Sequence, residues 1–127
     1  MDDFELEQYF AKYEFSAKYL LGSSDAQTIT MKTLFEDNED EESLQLWNDL
    51  NFGYTESTGL PVLKQEVASM YEGLVADDIL MFAGAEEAIY ATMRALLKPD
   101  EHVVVILPAY QSLLTCAEDV VGKENCT

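Results

Sequence analysis

Val103, Val104, Val105, Ile106 and Leu107 form an unbroken apolar run, four of its five residues β-branched, with no polar residue alternating through it. A strand with that pattern is one covered on both faces, as in a parallel sheet flanked by helices, and not one lying half in water. The segments around it agree. Ile79, Leu80, Met81 and Phe82 read as a short apolar strand; residues 85–97 are strong helix formers with Ala88, Ile89, Met93, Leu96 and Leu97 at helical spacing; and Lys98-Pro99-Asp100 ends that helix before the run begins. Pro108-Ala109-Tyr110 follows, and residues 111–121 read as one more helix. The expected class is therefore α/β. Two strands cannot complete a sheet covered on both faces, so further sheet partners must come from outside this pair.

Upstream the pattern is looser. Phe4, Leu6, Tyr9, Phe10, Tyr13, Phe15, Tyr19, Leu20 and Leu21 are spaced partly like a helix, and Gly22-Ser23-Ser24-Asp25 breaks it as a loop. Six acids in the seven residues from Glu36 to Glu42 suit a solvated loop or the acidic first turn of a helix over residues 43–50. Gly53 and Gly59 bound a loop ending at Pro61, which suits the first position of a helix running to about Tyr71.

At 127 residues and 48% apolar content the chain can bury one modest core but not two full domains. Its 25 acids against 7 basic residues give a formal net charge of −18, which repels phosphodiester backbones and argues against nucleic acid as a partner. No basic leader and no apolar stretch near the roughly 20 residues needed to span a bilayer is present, so a cytoplasmic location away from membranes is expected. Two cysteines, Cys116 and Cys126, and one histidine support neither a disulfide framework nor a zinc site.

The chemistry-bearing pattern lies at the strand ends. Phe82-Ala83-Gly84-Ala85, leading into Glu86-Glu87-Ala88, is a turn of small residues at a helix start, where backbone N–H groups and the helix dipole can meet a phosphate. Glycine in such turns also serves geometry alone. Tyr110 stands just past the carboxyl end of the apolar run, where open α/β sheets bind ligands, and its ring could stack on a flat cofactor or pack in a core. Tyr54 is a phenol on the glycine-bounded loop.

The succession from Tyr54 through Gly59-Leu60-Pro61-Val62-Leu63-Lys64 to Ala68, then Gly84-Ala85-Glu86-Glu87-Ala88, then Pro108-Ala109-Tyr110-Gln111-Ser112, resembles the amino-terminal half of the class I/II, fold-type-I pyridoxal-phosphate-dependent aminotransferases, from about Tyr19 to Val121. The resemblance implies an incomplete fold-type-I large domain over residues 51–127, preceded by an amino-terminal arm and small-domain-like segment over residues 1–50. It implies that the amides of Ala85 and Glu86 hold the phosphate of pyridoxal 5'-phosphate, that Tyr110 stacks on its pyridine ring, that Tyr54 reaches the phosphate of a neighbouring subunit in a homodimer, and that Gly22 lies beside the substrate carboxylate. Glu86 departs from the uncharged polar residue usual at its position, and Asp100 from a common glycine. The implied reaction exchanges an amino group between an amino acid and a 2-oxo acid.

Pyridoxal chemistry also needs a lysine to carry the cofactor, an acid at the pyridine nitrogen and usually an arginine for the substrate carboxylate. None of Lys12, Lys18, Lys32, Lys64, Lys98 or Lys123 stands in the serine- and glycine-rich setting of such a lysine, and by position these and Arg94 are expected at the surface. No catalytic residue is assigned. The chain is thus expected to be part of an aminotransferase, inactive and prone to self-association by itself. The alternative is a non-enzymatic acidic interaction module built on the same scaffold.

Overall fold

The computed structural model describes residues 3–36 and 40–127, so residues 37–39 of the acidic run lie outside the described residues. Six α-helices occur among them: α1 (Glu5–Tyr13), α2 (Met31–Glu36), α3 (Glu41–Asn48), α4 (Pro61–Ser69), α5 (Ala85–Leu96) and α6 (Gln111–Val121), with short 3-10 turns at Ala76–Asp78 and Lys123–Asn125. The starts follow local chemistry. Asp40 accepts hydrogen bonds from the amides of Glu42 and Ser43 and so caps α3, whose first turn carries Glu41 and Glu42 as the acidic run suggests. Pro61 opens α4, as expected. Helix α2 has no counterpart in the sequence reading; Thr30 caps it through the amide of Thr33, and Phe35 meets Trp47 of α3 with ring centroids 4.8 Å apart.

Helices α5 and α6 form the densest helix pair, and they run in the same direction. Ser112 at the start of α6 donates to Glu86 at the start of α5 (2.9 Å), while Arg94 and Asp119, both further along, form an ion pair. The two amino ends are therefore side by side. The core is small and sits largely on α6: Cys116, Ala117 and Val121 are buried there, with Ala68 and Lys64 on α4.

The two expected strands require correction. No regular strand forms among the described residues. Instead, Val103 makes an isolated parallel bridge to Cys126: the Val103 amide donates to Asn125 (2.9 Å), the Thr127 amide to Val103 (2.9 Å) and the Val105 amide to Thr127 (2.7 Å). Residues 79–82 form no ladder with this segment, and the Met81 amide turns to the Thr58 carbonyl at 3.0 Å. The apolar run is not covered on both faces either, for Val104 is 76% and Ile106 is 86% exposed. The physical reason is a shortage of partners: two bridged residues satisfy one edge of the segment, and among the described residues nothing covers Val104 and Ile106 on its outer face. The same shortage appears in the total accessible surface, 10732 Å², against about 6,800 Å² for a compact monomer of this mass.

Candidate functional site

Gly84 precedes α5 with φ 109° and ψ 162°, a region essentially closed to side-chain-bearing residues, and a Cβ built there meets nothing within 4 Å. The space on the side where a Gly84 side chain would stand is therefore open. The first-turn carboxylates are both engaged. Glu87 turns back to accept from the Ala83 amide at 2.7 Å, and Glu86 turns sideways to Ser112. The Ala85 and Glu86 amides belong to the first turn, whose N–H groups have no intrahelical acceptor, and they lie at the positive end of the helix dipole.

Tyr110 stands at the N-cap position of α6, without a capping bond from its side chain. Its hydroxyl donates to Glu7 Oε1 at 3.2 Å, and its ring meets Phe4 edge to face with centroids 5.1 Å apart. Partial burial, then the Glu7 hydrogen bond and the negative charges of Glu7, Glu86 and Asp25, raises the phenol above its ordinary value of 10.0. Beneath the ring is a cleft of about 210 Å³ lined by Leu6, Glu7, Phe10, Gly22, Asp25 and Tyr110 among others. It is smaller than the roughly 300–1,000 Å³ of pockets that enclose a drug-sized ligand. It is also acidic, so a substrate carboxylate beside Gly22 would need a cation that these residues do not supply.

The structure thus brings Tyr110 and Gly22 to one cleft and sets Glu86, with Ala85 next to it, close enough to act electrostatically on Tyr110. Tyr54 is apart from this group. Its side chain projects fully into solvent, at 109% of the reference exposure, and lines no part of the cleft.

The surface position expected for Lys64 is wrong. Lys64 is buried, and its Nζ donates to Thr58 Oγ1 at 3.3 Å, beneath the turn in which the Gly59 amide donates to Glu56. Gly59 has φ 113°, and a Cβ there would come within 2.6 Å of Met81 Cβ. Arg94 is half exposed but tied to Asp119, so it serves the α5–α6 contact. The partners that the sequence reading missed are Phe4 and Glu7 on Tyr110, and the Gln111 side chain, which accepts from the Glu5 amide (3.1 Å) and donates to the Asp3 carbonyl (2.8 Å). More than 100 residues separate each pair, and no local pattern signals such contacts. The buried Cys116 thiol is raised by burial first and by Glu86 and Asp119 next, which keeps it protonated and inert. Among the described residues no group of His, Cys, Asp or Glu could hold a metal ion, and no helix is long and apolar enough to cross a membrane.

The fold has a counterpart in the crystal structure of a PLP-dependent aminotransferase from Streptococcus suis 89-1591, with a TM-score of 0.82 over 99% of this chain at 23% identity. The chain spans about a third of that protein, 33% of its length. No curated protein sequence matches it. The family described as aminotransferase class I and II matches residues 17–123, which include the Gly22 loop, the Gly59 turn, the Gly84 turn and Tyr110. This chain belongs to the class I and II aminotransferase family.

Proposed function

We propose that this chain contributes the phosphate and ring side of a pyridoxal-phosphate pocket in an aminotransferase that moves an amino group between an amino acid and a 2-oxo acid. The observation that carries the reading is the adjacency of the α5 and α6 amino ends, bridged by Ser112 and Glu86, which sets first-turn amides next to Tyr110. The residues fit that part of the cofactor: the cradle is open on the side where a Gly84 side chain would stand, and Glu86 and Glu87 direct their charges to Ser112 and Ala83. Ala85 and Glu86 would hold the phosphate through their amides, and Tyr110 would orient the ring. Bound pyridoxal phosphate supplies the electron sink that amino-group transfer requires. The chain's own residues bind and orient; no lysine lines the Tyr110 cleft, so covalent anchoring is assigned to residues beyond those described.

In this reading residues 1–50 are the arm and small-domain-like segment and residues 51–127 begin the large domain. The exposed Val104 and Ile106 side chains then lie on a sheet face that further helices would cover, and Tyr54 is free to reach a second subunit of a homodimer. A cytoplasmic setting follows from the same reading. The acidic-module alternative is favoured by one observation, the net charge of −18, and one experiment separates the two. Pyridoxal phosphate is added to the purified chain, bound ligand is followed by tyrosine emission, and the mixture is reduced with borohydride for mass mapping. The pocket reading expects reversible binding that inorganic phosphate competes away and that Gly84→Val abolishes, with no single lysine labelled. Absence of phosphate-competed binding removes that reading and leaves the acidic module, whereas a unique labelled lysine overturns the assignment of the anchor elsewhere.

A further inference from the structure

Helix α1 has nine residues, none buried. Isolated helices of that length are marginal in water, so its persistence depends on what it docks against. Its docking is concentrated on two consecutive residues more than 100 positions away. The Gln111 amide grips the chain just before and at the start of α1 from both sides, accepting from the Glu5 amide and donating to the Asp3 carbonyl. Tyr110 completes the seat with Phe4 against its ring and Glu7 on its hydroxyl. Leu6, Glu7, Phe10 and Glu14 of this segment also form one wall of the cleft that holds Gly22. The wall of the cleft is thus attached by three hydrogen bonds and one ring contact, all at its amino end.

We propose that α1 is a displaceable lid over the Tyr110–Gly22 cleft and that Gln111 is its latch, a positioning residue that acts through the backbone of Asp3 and Glu5. With the latch made, Glu7 fixes the Tyr110 hydroxyl and the cleft stays narrow. With it released, α1 loses its support, Tyr110 is freed on that side, and the cleft opens to ligands too large for 210 Å³. The lid's role toward a ligand rests on the reading of this cleft as part of the cofactor pocket; the latch itself does not.

Hydrogen exchange read by mass spectrometry on the full chain, with no cofactor, tests the latch. In the wild type, amides of residues 9–13 should exchange on the order of 100-fold faster than those of residues 116–121, because they open separately from the core. Gln111→Ala removes both clamp bonds and should accelerate residues 9–13 a further roughly tenfold while leaving α5 and α6 unchanged. Phe4→Ala, which leaves α6 untouched, should accelerate the same segment less. Equal exchange of residues 9–13 in wild type and Gln111→Ala overturns the latch, and so does uniform acceleration of α1, α5 and α6 in both variants. Pyridoxal phosphate binding does not enter these readouts, so failure of the cofactor reading leaves them unaffected and failure of the latch leaves the cofactor reading standing.

Discussion

Helix pair α5–α6 and the amino-terminal third of the molecule both carry many apolar side chains, yet only the first has a core. Ala117 is 0% and Val121 is 2% exposed. In residues 3–36 no residue is buried, and Phe15, Leu21 and Ile29 face water. The difference is one of partners. Helix α6 packs on α5 and on the turn that follows it, both close in sequence, whereas α1 is hydrogen-bonded to two residues more than 100 positions away and α2 meets α3 through Phe35 and Trp47. Apolar content sets what a segment can bury, and topology decides whether it does.

The largest test of that contrast is a buried charge. Ala117→Asp should destabilise the α5–α6 pair by more than about 3 kcal/mol, because the carboxylate has no partner there, while Ile29→Asp should stay within about 0.5 kcal/mol; urea unfolding followed by circular dichroism compares them. Equal effects would erase the distinction between the two regions. Next come the glycines. Gly59→Ala meets both a left-handed backbone and Met81 and should cost about 2–4 kcal/mol, whereas Gly84→Ala meets only the backbone penalty, about 1–2 kcal/mol. The reverse order would mean that the Gly84 cradle is not open. Arg94→Ala removes a half-exposed ion pair from the helix pair and should cost about 0.5 kcal/mol, less at high salt.

The smallest effect is a pH response in α3. The Asp40 carboxyl is held below its ordinary 3.8, first by the Ser43 hydroxyl and then by the Ser43 and Glu42 amides. Its folded value is depressed, so its stabilisation is present above 3.8 and is lost as pH falls through the folded value. The Glu42 and Ser43 amide resonances should therefore be constant from pH 7 to 5 and shift below pH 4, and Asp40→Asn should flatten that response. A shift in the wild type centred above pH 5 would assign the cap to another group.

Legibility in the sequence followed the range of the interactions. Helices α4, α5 and α6 were readable within one or two residues at their starts, because Pro61, the Gly84 turn and the Pro108 loop mark them locally. The apolar run at residues 103–107 was read as a strand, whereas among the described residues it makes one isolated parallel bridge, at Val103. It was read wrongly for coverage, since composition reports what a strand is suited to and not what is beside it. Tyr110 and Gly22 were named separately, the resemblance putting Tyr110 on the cofactor ring and Gly22 beside the substrate carboxylate; their shared cleft was visible only once the chain had folded. Lys64 was misplaced because a lysine between Leu63 and Gln65 on a short helix gives no sign that a threonine hydroxyl waits six residues upstream.

The bridge between Val103 and Cys126 leaves backbone groups on both of its margins. Its three hydrogen bonds use the carbonyl of Val103 and the amides of Val103, Val105 and Thr127, so the peptide groups of Val104 point outward on one side and the carbonyl of Cys126 on the other, by the alternation of a parallel ladder. The pair keeps backbone groups unused along both margins, so a neighbouring strand can be accepted on either side.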